Sequence, residues 1–245
     1  MTNHRIPRIA VLLSMALALL FSVSGCPPQH TPPAAPPPPS ESRSAIDWSQ
    51  LPNPPLKQEL VAIAGFENKS TYSADKLWDT SSRLLASRLL RTRYFRVVEW
   101  EKMKRLFDWD TLSNASIVKS PENMKKAQRI LLCEYFVLGS ITYFDVRQHS
   151  QVSATSKSKI IDTTIRVDLL LQGSQSGEYL ATGTGEHTEQ QTYSGGMSGG
   201  QTGSWDPRAA DVALDTAIAK ATFELITNFH DQMIRTTSSL DSRLK

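Results

Sequence analysis

The chain is poor in the residues that most often carry chemistry. Its 245 residues include two cysteines, Cys26 and Cys133, and five histidines, His4, His30, His149, His187 and His230. The histidines stand far apart and none has metal-ligand spacing, which argues against a metal centre. His187, flanked by Glu186 and Glu189, reads as a polar strand end. There is no P-loop, and Gly183-Thr184-Gly185 fails as a dinucleotide fingerprint because it ends a strand without opening a helix. Gly196-Met197-Ser198-Gly199-Gly200 matches G-x-S-x-G, but that motif needs a tight strand-to-helix turn and here falls in a Gly/Ser loop. The chain therefore reads as a non-enzyme. Charge of one sign is also lacking: 27 basic residues face 24 acidic ones for a net +3. Setting aside Arg5 and Arg8 brings the balance close to neutral, a poor footprint for nucleic acid. Arg83, Arg88, Arg91 and Arg93 read as a solvated helix face.

The apolar run at residues 9–21 is about 13 residues, short of the ~20 that span a bilayer as a helix. It follows the basic His4, Arg5 and Arg8 and ends in small residues, the layout of a secretory signal. The junction Val23-Ser24-Gly25-Cys26 resembles a lipobox. That resemblance implies cleavage after residue 25, with a diacylglyceryl group and an N-acyl chain on Cys26 and no other cofactor. Several acyl chains hold a protein to a membrane durably, where one binds only marginally. Pro27 is not the aspartate associated with inner-membrane retention, so the expected address is the outer membrane, facing the periplasm. With Cys26 lipidated, Cys133 has no partner for an intrachain disulfide, and beside Ile130-Leu131-Leu132 it reads as a small buried thiol.

Residues 26–55 form the next unit. Pro27-Pro28, Pro32-Pro33, the prolines at 36–39, Pro52 and Pro54-Pro55 leave few backbone donors and little to bury. The expectation is an extended tether, about 29 residues reaching up to roughly 90 Å at ~3.1 Å per residue. Ile46, Trp48 and Leu51 interrupt it and could dock on the folded part. Residues 56–237 are one domain's worth of chain, long enough for a core, and 238–245 form a polar tail.

Within the domain, residues 60–66 read as a buried strand. Ser73 can cap a helix with Leu77, Trp78, Leu84, Leu85 and Leu89 on one side. Residues 94–98 are a short strand, and Trp100, Met103, Leu106 and Phe107 mark a helix. Ser120-Pro121 starts another helix that reaches about Leu132. Strands are expected at 136–146, 160–171 and 178–187, the last two forming a hairpin through 172–177. A Gly/Ser loop covers 191–204, and Asp206 caps a final helix holding Val212, Leu214, Ile218, Phe223, Leu225 and Ile226. The fold class is α+β: helices packed on a mixed β-sheet, a single periplasmic domain behind a lipidated tether.

That order resembles the CsgG-type curli secretion and assembly lipoproteins. The likeness rests on Val61-Ala62-Ile63-Ala64-Gly65-Phe66-Glu67-Asn68, Arg93-Tyr94-Phe95-Arg96-Val97-Val98-Glu99 and Tyr135-Phe136-Val137-Leu138-Gly139-Ser140-Ile141. It continues through Arg166-Val167-Asp168-Leu169, Gly177-Glu178-Tyr179-Leu180 and the last helix, and so covers most of residues 58–230. The resemblance implies a non-catalytic role in assembly or secretion of a surface structure such as curli-like fibres. It also implies envelope proteins as partners, a homo-oligomer among them. The family's two barrel hairpins map onto 147–159 and 188–204. Neither segment here has the alternating apolar positions of a lipid-facing strand, so a pore is not expected from this chain unaided. A second resemblance, to penicillin-binding-protein activator lipoproteins, implies a tethered activator or scaffold of a peptidoglycan synthase. If function is interaction, the two loops are the mobile surfaces, with His149, Val152, Tyr193, Met197 and Trp205 as candidate partner-binding residues. Trp205 has a second reading, packing against the first turn of the last helix.

Overall fold

The computed structural model describes residues 46–72, 77–152, 156–196 and 203–243. Cys26, the tether up to residue 45, the Ser73 cap and Met197 lie outside the described residues.

A five-stranded sheet in the order β2-β1-β3-β4-β5 forms the centre: β1 (Glu59–Asn68), β2 (Phe95–Val97), β3 (Tyr135–Val152), β4 (Ser156–Gly173) and β5 (Tyr179–Gly196). The sheet is mixed, as the sequence led us to expect. β1 runs parallel to both β2 and β3, whereas β3, β4 and β5 form an antiparallel meander. β1 is buried from Val61 through Phe66 without alternation, the pattern of a strand covered on both faces.

Among the described residues six helices accompany the sheet: α1 (Leu77–Thr92), α2 (Trp100–Leu106), α3 (Trp109–Ser113), α4 (Ser116–Lys119), α5 (Pro121–Leu131) and α6 (Arg208–Arg243). Ser120 caps α5 by accepting from the Asn123 N–H with Pro121 in the first turn, and Asp206 accepts from the Arg208 N–H at the start of α6. No helix is long and apolar enough to cross a membrane among the described residues. α6 lies on β4 and β5 at backbone contact. A Cβ at Gly183 would sit 2.1 Å from the Ala221 carbonyl oxygen, and one at Gly185 2.0 Å from that of Ala217. The glycines that failed as a nucleotide motif therefore seat a helix against a strand. The Arg88 guanidinium clasps both carboxylate oxygens of Asp215 and ties α1 to α6 on this face. On the opposite face the backbone at Leu112 rests against Gly65.

The end of the tether docks on this body. Trp48–Gln50 form a 3-10 turn, with Trp48 edge-on to Phe223 at 6.1 Å and Leu51 against the core. The Tyr94 hydroxyl donates to the carbonyls of Pro52 (2.7 Å) and Asn53 (3.0 Å). Cys133 is 3% exposed, and burial pushes its thiol up to about 12, so it stays protonated and inert at neutral pH.

Candidate functional site

Among the described residues, the two segments expected as mobile loops are strand at 147–152, 156–159 and 188–196. β3 continues past residue 146 to Val152, β4 begins at Ser156, and β5 runs on past His187 to Gly196. The pairing is regular, with Arg147 opposite Asp162, His149 opposite Ile160, and Lys159 opposite Tyr193. Polar residues on both faces give no hydrophobic period, yet backbone pairing needs none, and threonines at 163, 164, 188 and 192 suit an extended chain. The result is a three-stranded arm. An 18-residue strand spans roughly 60 Å at about 3.3 Å per residue.

One face of the arm is buried and the other is open. Odd-numbered residues of β4 and β5 point toward α6, among them Thr163, Ile165, His187 and Glu189. His187 was expected at a polar strand end. It is instead 6% exposed, with Nε2 3.4 Å from the Glu189 carboxylate, which is also 6% exposed. A His–Glu pair on the apolar side was missed because each residue was judged by its neighbours in sequence. The parity from Ala181 through Gly183 and Gly185 to His187 and Glu189 was the available signal.

On the open face, polar side chains pair across the strands. Thr164 and Thr188 hydroxyls meet at 2.8 Å, Gln190 donates to Asp162 (2.9 Å) and Thr184 to Asp168 (2.8 Å). His149 is exposed, 3.7 Å from the same Asp162. Arg147 donates to Asp145 (2.7 Å), and this bond first, then that of the Tyr143 hydroxyl, holds the Asp145 carboxyl below the usual carboxylate range.

The candidate aromatics turn inward. The Tyr193 hydroxyl donates to the Ser204 carbonyl (2.9 Å) and its ring packs on Gly203, while Lys159 donates to the Gly203 carbonyl (2.7 Å). The Trp205 indole N–H donates to Thr163 (3.0 Å), and its ring meets Tyr72 edge-on at 6.2 Å. Tyr72 in turn stacks on Phe144 at 3.9 Å. Trp205 thus packs on the sheet and on Tyr72, with its one donor used internally. For Val152 the structure gives only its pairing with Lys157. His149 remains on the open face while Tyr193 and Trp205 turn inward, so these three do not converge on one patch.

What the arm does present is backbone. Along β5, side chains of α6 cap the outer edge: Asn228 donates to the Thr182 carbonyl (2.8 Å), Glu224 accepts from the Thr184 N–H (2.9 Å) and Lys220 donates to the Glu186 carbonyl (2.9 Å). These three caps end at Glu186. With a period of two, the groups of Thr188, Gln190 and Thr192 point the same way beyond them. On the other flank β3 pairs with β1 only as far as Ile141. Among the described residues, neither edge of the arm beyond these points pairs with a further strand. Among the described residues no three His, Cys, Asp or Glu side chains gather as a metal set.

Solved structures similar to the chain include lipoprotein GNA1162 from Neisseria meningitidis, at 14% identity and a TM-score of 0.36 over 60% of this chain and 88% of that one. The PelC dodecamer from Paraburkholderia phytofirmans is similar at 13% identity and a TM-score of 0.38, covering 73% and 96%. The LpoB C-terminal domain from Escherichia coli is similar at 13% identity and a TM-score of 0.37, covering 58% and 98%. No curated protein matches the sequence at a significant level. A family profile described as "Curli production assembly/transport component CsgG" matches residues 41–243, and the chain belongs to that family.

Proposed function

We propose that the protein is a non-catalytic outer-membrane lipoprotein, held by acyl chains on Cys26 and facing the periplasm, that assembles through its arm into a multi-copy platform for export or assembly of a surface structure. The observation that carries this reading is the arm with two open edges. A strand edge exposing unpaired N–H and C=O groups is a template for another strand. The β3 edge of one copy and the β5 edge of the next, on opposite flanks of the same arm, supply a head-to-tail contact that closes into a ring when the rotation allows. Family membership supports the assembly role.

The side chains limit where such an assembly sits. Arg147, His149, Asp162, Gln190 and Thr192 are partners and neighbours on one face, and Gln148, Lys159, Glu189 and Gln191 share the other. Neither dresses a surface against lipid, where barrel strands need an apolar face. The arm belongs in water, and the lipid on Cys26 is the hold on the membrane.

That polarity, with the docked tether, favours a second reading in which the arm pairs with a partner such as a peptidoglycan synthase. Cysteines placed at His149 and Thr192, which share the open face, separate the two. Self-assembly through the arm yields disulfide-linked ladders of the protein itself in the native envelope. Ladders absent, with a synthase crosslinked instead from the same positions, would move the conclusion to the second reading. Single-channel conductance by the purified lipidated protein alone would contradict the polar arm's exclusion from lipid.

A further inference from the structure

Where the tether meets the body, its 3-10 turn and the end of α1 wall a groove of about 440 Å³. Trp48, Pro52 and Pro54 form one side, and Arg88, Arg91 and Arg93 the other. From this groove we infer a binding site for a phosphate ester, its anion held by Arg91 and Arg93 and its organic part lying on Trp48 and the tether prolines.

The charge balance of the groove favours an anion. Arg88 is already matched by Asp215, which takes both prongs of its guanidinium. No carboxylate pairs with Arg91 or Arg93 among the described residues. The nearest acid on the tether, Asp47, accepts from the Ser49 N–H and hydroxyl and from Gln50, within its own turn. Two arginines without a carboxylate partner among the described residues therefore line one cavity.

A single arginine at a helix C-terminus needs no ligand to explain it, since cations there complement the helix dipole. Arg91, in the last turn of α1, fits that account. Arg93 does not. It lies past the helix at φ +59°, a left-handed conformation that a glycine would take without strain. The turn is locked from both sides: the Arg93 N–H donates to the Leu90 carbonyl (3.2 Å) and its carbonyl accepts from Gln58 (2.6 Å). A long cationic side chain kept at that position is set against the groove, where its neighbour Arg91 also stands.

Phosphate suits the pair better than carboxylate. A carboxylate presents one two-oxygen edge to a guanidinium fork, as Asp215 does to Arg88, whereas a phosphate ester has a further oxygen and a higher negative charge to engage a second fork. The groove is also much larger than an inorganic anion, and its tether wall sets Ser49 and Asn53 among Trp48, Leu51, Pro52 and Pro54, so glycerol or a sugar can fill the remainder. Two sources carry this chemistry: the headgroup of an anionic membrane lipid, reachable because the tether leads to the lipid anchor, and a soluble phosphorylated metabolite or glycan. Occupancy by a lipid would bring the body down onto the bilayer instead of leaving it at the end of its tether.

The test uses the chain from residue 26 onward carrying Cys26→Ser, so that neither an acyl chain nor the apolar run at 9–21 holds it to a vesicle. Flotation with vesicles of phosphatidylglycerol and phosphatidylcholine, against phosphatidylcholine alone, reads the lipid source; calorimetry with glycerol phosphate reads the soluble one. Binding in either arm supports the site when the Arg91→Gln, Arg93→Gln double variant loses about tenfold or more in affinity at unchanged melting temperature. Asp215→Asn frees the third guanidinium and is expected to tighten binding severalfold, the opposite sign. Binding by the first protein in neither arm overturns the inference. So does binding that the double variant retains in full.

Discussion

The half of the sheet around β1 and the arm beyond Ile141 are built from the same backbone pairing but stabilised by different physics. Around β1, apolar side chains fill both faces and the helices of each layer touch the strand directly. In the arm one face is polar and open, the other carries a buried His187–Glu189 pair, and two edges lack neighbours. Burial on both faces determines the first region; burial on one face, with hydrogen bonding across the other, determines the second. An edge held by backbone hydrogen bonds can take up a further strand, since a pairing strand from another chain offers the same groups.

The largest effect expected on this comparison comes from its seam. Gly185→Val drives a branched side chain into the Ala217 carbonyl, where even a Cβ is 2.0 Å away. Lifting α6 from β5 should cost about 3 kcal/mol or more, read as a fall in the urea midpoint. Next comes the buried pair. His187→Leu leaves the Glu189 carboxylate in a dry site without its partner and should cost about 2 kcal/mol. Replacing both residues by Leu should recover most of that loss, because apolar neighbours of similar volume need no partner. A double variant as unstable as the single one would show that the pair is not the cause.

Smaller effects lie farther from the seam. Tyr94→Phe removes the hydroxyl that holds the Pro52 and Asn53 carbonyls and should cost about 1 kcal/mol. It should also make residues 46–55 an earlier target for limited proteolysis. On the body, burial pushes the Asp79 carboxyl up, but the Trp100 indole, Arg83 and Lys104 together outweigh it and hold the group below its ordinary 3.8. A carboxyl depressed in the folded state stabilises the fold above its unfolded pKa and stops doing so as pH falls through the folded one. Asp79→Asn should therefore destabilise at pH 7, with the effect shrinking progressively as pH falls below about 4 in the same urea titration. The smallest change is expected from Thr164→Val on the open face, below about 0.5 kcal/mol.

The same contrast explains what could be read without coordinates. Val61 to Phe66, the Ser120–Pro121 start of α5 and the Asp206 start of α6 were legible, because burial and capping impose residue types at fixed positions. The docking of Trp48 and Leu51 was legible too, since large apolar side chains in a proline-rich segment have one natural destination. The arm was not. Gln, Ser, Thr and Lys at 147–159 and 188–194 serve a two-faced polar ribbon as well as a loop, and only the pairing partner distinguishes them. Trp205 shows the limit for single residues: its sequence neighbours say nothing of Thr163, the residue that takes its N–H. The short helices α3 and α4 escaped for a further reason, as Ala115 joins them in a left-handed turn that its residue type does not announce.

The central claim, that the open edges of the arm carry assembly, is tested most directly by the mass of the lipidated protein in mild detergent with and without Gln190→Pro. The N–H of Gln190 points outward, so proline there removes a donor for an incoming strand without breaking the pairing with β4. The account predicts a multi-copy complex for the unaltered chain and a monomer for the variant, with the same circular dichroism. A monomer in both cases, or a variant that assembles as fully as its parent, would contradict it.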